Sequence, residues 1–148
     1  ILHGVSMGAA TVLMASGEEL PENVKAIIAD CGYTSEWDEF KCEANALHIP
    51  WFPVLNAASV MSRLRDGYDF KQASALEQVK QSRIPTLFIH GSDDELVPYS
   101  MLDKLYSAAV CKKECLTVNG AGHALSSSVE PELYWNTVES FIEKYLEK

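Results

Sequence analysis

Gly4-Val5-Ser6-Met7-Gly8 places a serine hydroxyl between two glycines. The apolar Ile1-Leu2 precede it, and the helix-prone Ala9-Ala10-Thr11-Val12-Leu13-Met14-Ala15 follow it. A strand, a tight turn and a helix are what a serine nucleophile elbow requires. Without Cβ atoms at Gly4 and Gly8, strand and helix can pack closely and push Ser6 out at the apex. The hydroxyl then sits at a helix N-terminus, where free N–H groups favour developing negative charge. The Met7 N–H is the candidate oxyanion donor.

A serine hydroxyl is a poor nucleophile until a base takes its proton, and the base needs an acid to orient it. The chain has four histidines. His3 precedes the serine, His48 lies in a Pro- and aromatic-rich segment, and His90 ends an apolar strand. His123 lies in Asn119-Gly120-Ala121-Gly122-His123-Ala124, a loop after the strand-like Cys115-Leu116-Thr117-Val118. A histidine on a glycine-rich loop at a strand end is well placed to reach the elbow. The acid candidates are Asp93, Asp94 and Glu95, on a turn after the apolar Pro85-Thr86-Leu87-Phe88-Ile89-His90.

His90-Gly91-Ser92-Asp93-Asp94-Glu95-Leu96-Val97-Pro98 resembles the His-Gly-x-x-Asp-x-x-Val-Pro segment of the α/β-hydrolases. Read position by position, that resemblance assigns the acid to Asp94; Asp93 is the alternative, one residue of slip away. The order Ser, Asp, His is also the order of that superfamily. The chain therefore resembles the C-terminal half of an α/β-hydrolase, from Ile1 to the last helix. Within the superfamily it is most similar to bacterial hydrolases related to serine-aminopeptidase and prolyl-oligopeptidase catalytic domains. Asp30-Cys31-Gly32-Tyr33-Thr34-Ser35 and Asp69-Phe70-Lys71-Gln72-Ala73-Ser74 resemble that group too. The resemblance implies a serine hydrolase with catalytic Ser6, Asp94 and His123, cleaving an ester or, second, a peptide or amide. It implies no metal or organic cofactor. Two other readings stay open: a non-catalytic binding module on the same fold, and an acyltransferase using the same three residues.

Positioning these residues takes alternating strands and helices, hence a parallel sheet flanked by helices, an α/β fold. Strands are expected at Ile1–His3, Lys25–Ala29, Thr86–His90 and Cys115–Val118, apolar enough to be buried on both faces. A helix is expected from Met7 to Ser16, ending at Gly17. Ser100 is the expected cap of a helix carrying Met101, Leu102, Leu105 and Ala109. Pro131 opens the last helix, whose stripe of Trp135, Val138, Ile142 and Tyr145 reads as core.

Residues 34–83, about a third of the chain, contain no clear strand and are expected to form a helical lid insertion. Ser35-x-x-Asp38 and Ser74-x-x-Glu77 read as helix starts. Between them, Leu55, Ala58, Met61 and Leu64 give a helical stripe after the break at Pro50-Trp51-Phe52-Pro53. Trp37, Trp51 and Phe52 either line an apolar acyl pocket or fasten the lid to the body. Tyr33, close behind the second strand, has the better claim to face the site.

At 148 residues the chain makes one domain with a real core. Its 47% hydrophobic and 22% charged residues are those of a globular protein. A net charge of −9 argues against nucleic acid and anionic membranes as partners. No apolar run approaches the ~20 residues of a membrane span. Cys31, Cys42, Cys111 and Cys115 lack metal-ligand spacing and read as reduced thiols of a cytosolic-type domain.

Only three residues precede Gly4, so the chain is expected to begin inside a central strand, with the N-terminal half of the fold absent. That half holds the second oxyanion donor, whose loss costs on the order of 100- to 1,000-fold in rate. The fragment alone is expected to be nearly inactive. Any secretion signal or membrane anchor is expected upstream, and the open strand edge is expected to favour self-association.

Overall fold

The computed structural model describes residues 1–146. Four parallel strands, β1 (Leu2–Val5), β2 (Ile27–Asp30), β3 (Thr86–Gly91) and β4 (Lys113–Val118), lie in the order β1-β2-β3-β4. Leu2 pairs with Ile27, Ile27 with Thr86, and Thr86 with Lys113, so the strands begin level, and β3 and β4 run two residues past the ends of β1 and β2. The parallel α/β architecture is that expected of an α/β-hydrolase.

The seven helices among the described residues are α1 (Met7–Ala15), α2 (Glu36–Ala46), α3 (Trp51–Asp66), α4 (Ala75–Val79), α5 (Ser100–Ala108), α6 (Ser126–Val129) and α7 (Pro131–Leu146). Strand side chains alternate between two cores, as the period of two demands. Ile27, Ala29 and Phe88 meet Ala9 and Leu13 of α1, Val79 of α4, and Leu102 and Leu105 of α5. Ile28, Leu87, Ile89, Leu116 and Val118 meet Tyr134, Val138 and Phe141 of α7. β2 and β3 are buried along their whole length, which explains their unbroken apolar runs.

Two helix faces and one helix start differ from expectation. On α7 the buried stripe is Tyr134, Val138 and Phe141, while Trp135 is 49% exposed. Tyr134 turns inward because its hydroxyl finds His3 Nε2 at 3.1 Å and the buried Asp30 carboxyl. On α3, Leu55 is buried but Met61 and Leu64 face outward; Ser59 and Ser62 take the inner face. Ser59 Oγ accepts the Phe70 N–H at 3.1 Å, and the Ser62 hydroxyl donates to the Tyr68 carbonyl at 3.0 Å. Those bonds hold the connection into α4. At α5, Tyr99 is the N-cap and Ser100 is already helical. Ser35 and Ser74 do cap their helices, accepting the N–H of Asp38 at 3.1 Å and of Glu77 at 3.2 Å.

The two glycines of the elbow are not equivalent. A Cβ on Gly4 would lie 2.2 Å from the Gly8 carbonyl oxygen and 2.6 Å from the Ala9 nitrogen. Gly8 has nothing within 4 Å of the corresponding position, so its role is to bring its backbone against Gly4. Gly4→Ala must therefore displace backbone, and is expected to destabilise by roughly 2–3 kcal/mol. Gly8→Ala should cost less than about 1 kcal/mol, with helix propensity in its favour. Urea unfolding of both variants checks this; equal losses would contradict the packing described.

Candidate active site

Because all four strands run parallel, the loops that leave their C-terminal ends gather at one edge of the sheet, where α/β folds bind ligands. Ser6 leaves β1, Asp94 leaves β3 and His123 leaves β4. Ser6 has φ 56° and ψ −119°, a backbone conformation that L-residues rarely adopt. Its N–H donates to the Asp30 carbonyl at 2.8 Å, and its carbonyl accepts the Ala10 N–H at 3.0 Å. The strained turn is thus pinned to β2 on one side and to α1 on the other. Met7 opens α1, so its N–H has no carbonyl partner within the helix.

Ser6, His123 and Asp94 form one chain of contacts. His123 Nε2 lies 2.7 Å from Ser6 Oγ, and Nδ1 lies 2.9 Å from Asp94 Oδ2. With Nδ1 carrying the proton toward the carboxylate, Nε2 is free to accept the serine proton. Asp94 Oδ1 accepts the N–H groups of Leu96 at 3.0 Å and Val97 at 2.9 Å. Burial pushes the Asp94 carboxyl up, but hydrogen bonds from His90, His123 and the Val97 N–H together hold it below the ordinary aspartate value. Asp93, the alternative acid, is exposed and turned to the Ser92 hydroxyl at 2.7 Å; Glu95 is exposed as well.

His90 is fully buried, with Nε2 2.9 Å from the Val97 carbonyl and 3.4 Å from Asp94 Oδ2. Its Nε2–H donates to that carbonyl and braces the turn holding Asp94. The histidine loop is stitched to the same turn: the Asp93 N–H donates to the Ala121 carbonyl at 3.0 Å, and the Gly120 N–H to Ser92 Oγ at 2.8 Å. These bonds fix the separation of Asp94 and His123.

A recess of about 160 Å³ opens beside Ser6, lined by Ser6, Met7, Tyr33, Glu36, Glu39, Phe40, Glu43 and Leu96. Tyr33 is the one expected binding residue that the structure brings there. Trp37 lines a separate hollow with Asn56 and Arg63, and Trp51 lines an apolar one of about 290 Å³ between α2 and α3. Phe52 is 65% exposed. The rings of Trp37 and Trp51 meet edge-on at 6.4 Å, joining α2 to α3. All three fall outside the recess because their rings pack on one another, Trp37 on Trp51 and Trp51 on Phe52, where α2 meets α3. The three glutamates went unread in the sequence. Their spacing over one face of α2 was the available signal, but a solvated helix face has the same pattern.

Glu39 is 7% exposed. Burial, then the negative charges of Glu43 and Asp94, raise its carboxyl from the usual 4.5 to about 7. Burial first, and the glutamates second, push the Tyr33 hydroxyl up to about 12. Cys31 Sγ, Asp94 and His123 come within 4.8 Å of one another, the geometry of a metal cluster. The donor set is poor for that purpose. Asp94 and His123 hold each other, and burial raises the Cys31 thiol to about 12, keeping it neutral.

The folded state holds the Glu39 proton more tightly than the unfolded chain does. Its contribution to stability is therefore complete below about 4.5 and is lost as pH rises through about 7. Glu39→Gln should match the wild type in urea unfolding near pH 4. Its advantage should grow across that window to on the order of 3 kcal/mol at most. A pH-independent difference would contradict the buried carboxyl.

The prolyl oligopeptidase family model matches residues 1–148. The uncharacterized protein YqkD of Bacillus subtilis is 30% identical over 143 residues, covering 96% of this chain and 47% of that protein. The esterase domain of a Rhodothermus marinus protein superposes with TM-score 0.69 at 22% identity, covering 97% of this chain and 59% of that one. A Mycobacterium tuberculosis puromycin-hydrolyzing peptidase gives TM-score 0.72 at 19% identity, covering 97% of this chain and 22% of that one. At such identities the solved structures speak for the fold alone. The chain spans about half the length of the curated relatives it matches.

Proposed function

The chain belongs to the prolyl oligopeptidase family within the α/β-hydrolase superfamily, and on that premise we propose that the protein is a serine hydrolase cleaving a carboxylic ester through Ser6, His123 and Asp94. The observation that carries this reading is the continuous contact Ser6–His123–Asp94, at 2.7 and 2.9 Å. Those separations match what proton transfer needs. A family of esterases and peptidases supports the same reaction class.

In the proposed reaction Ser6 Oγ attacks the ester carbonyl carbon as its proton passes to His123 Nε2. The carbonyl π electrons move to oxygen, and the Met7 N–H at the α1 terminus stabilises the oxyanion. The tetrahedral intermediate collapses, the bond to the leaving alkoxide breaks, and His123 returns the proton to it. Water then attacks the acyl-serine carbonyl as His123 takes its proton, and this second intermediate collapses: the bond to Ser6 Oγ breaks, Oγ recovers the proton from His123, and the carboxylic acid leaves. Asp94 keeps the Nδ1 tautomer and stabilises the imidazolium. Helices α2 to α4, between β2 and β3, are proposed as a lid over this edge.

Kinetics of a short-chain aryl ester in the intact natural protein test the assignment. Ser6→Ala should abolish turnover while leaving the fold intact. Asp94→Asn should lower kcat on the order of 1,000- to 10,000-fold, because the imidazole is left in the wrong tautomer. Unchanged hydrolysis in Ser6→Ala would move the chemistry to another residue.

A further inference from the structure

The recess beside Ser6 has an acidic wall without a counter-charge. Glu39 Oε2 and Glu36 Oε2 are buried and have no hydrogen-bond partner, the Glu36 carboxyl being met only by the Tyr68 hydroxyl. Glu43 lies one turn further along α2 and lines the same space. Among the described residues, none of the three takes part in an ion pair. Lys41 of the same helix stands over the Trp51 ring and Lys71 over the Trp37 ring, while Lys104 of α5 is near enough to act on Cys42 of α2 yet forms no ion pair with these acids.

Acids are common in the first turn of a helix, where the N–H groups attract them. That accounts for Asp38, which accepts the Thr34 hydroxyl at 2.7 Å. It does not account for Glu39, more than nine-tenths buried, with one oxygen unmatched, on a side chain that lines the same recess as Ser6. Nor does it account for Glu43, beyond the first turn. A buried carboxylate without a partner is unfavourable, and such groups in native proteins call for an explanation. A ligand that brings the missing positive charge supplies one.

The rest of the recess sets what that ligand looks like. Tyr33 and Phe40 line the recess together with Ser6 and the acids. An alkyl stem fits against such rings while its charged end reaches the carboxylates. We infer that the substrates carry a cationic group on a short apolar stem, an alkylammonium, seated on Glu39 with Glu36 and Glu43 while the scissile carbonyl lies at Ser6. This rests on the proposed role of Ser6 and names the substrate class for that same site.

The test has a binding arm and a kinetic arm, both in the intact natural protein. In the first, n-butylammonium chloride is titrated into wild type and Ser6→Ala, with 1-butanol and sodium chloride as controls, and Tm is read. The ammonium should raise Tm in both proteins and the controls should not. Glu39→Gln should weaken ammonium binding about tenfold or more, and Glu43→Gln should weaken it as well.

In the second arm, 6-aminohexanoate and hexanoate p-nitrophenyl esters are compared, and so are 6-aminohexyl and hexyl acetates. At least one charged ester should exceed its neutral partner about tenfold in kcat/KM, and the ratio should fall toward one in Glu39→Gln. No ammonium shift in either wild type or Ser6→Ala, or charged esters cleaved no better than neutral ones, overturns the cation site. Neither result touches the serine mechanism. An ammonium shift in Ser6→Ala together with undiminished ester cleavage keeps the cation site and removes Ser6 from the chemistry.

Discussion

The His123 imidazole spans the gap between two loops, with a carboxylate on one nitrogen and a serine hydroxyl on the other. Both contacts must hold at once, so three chain segments far apart in sequence must be placed to within a few tenths of an ångström. A parallel sheet does the coarse placement by bringing its strand ends to one edge. Hydrogen bonds between the β3 and β4 loops do the fine placement, and the buried His90 ring braces the acid's turn. The positive φ of Ser6 is tolerated because its N–H and carbonyl are both bonded in that conformation.

The electrostatics of this edge oppose stability. Asp94, Glu39, Glu36 and Glu43 bring negative charge together near one small recess, and burial raises the carboxyls of Glu36 and Glu39. Asp94 is the exception, since hydrogen bonds surround it and keep it ionised. Carboxyls with and without partners thus lie side by side. Asp94, the matched one, holds the His123 ring, and Glu39, with one oxygen unmatched, is the one proposed to meet a cation from outside the chain. Sites kept at the expense of stability are commonly functional ones.

That Ser6, Asp94 and His123 would meet was legible in the sequence because each sits in a local pattern with a geometric meaning: glycines at a turn, an apolar strand into acids, a glycine-rich loop. Strand positions were legible because β2 and β3 are buried on both faces. Helix faces were less so. On α3, serines bonded to backbone outcompeted Met61 and Leu64 for the inner side. On α7, one hydroxyl contact turned Tyr134 inward in place of Trp135. The acidic wall of α2 was invisible, since inward and outward glutamates look alike until the packing is known. For Trp37, Trp51 and Phe52 the sequence leaves an acyl pocket and a fastening of the lid equally open, because aromatic character does not encode direction.

The central claim is that His123 and Asp94 make Ser6 nucleophilic. The most direct measurement is covalent: the intact natural protein is treated with a fluorophosphonate and the modified peptide is identified by mass spectrometry. The account predicts one adduct on Ser6, formed rapidly in wild type and slowed by orders of magnitude in His123→Ala. An adduct on another residue, or Ser6 labelling at the same rate without His123, would contradict it.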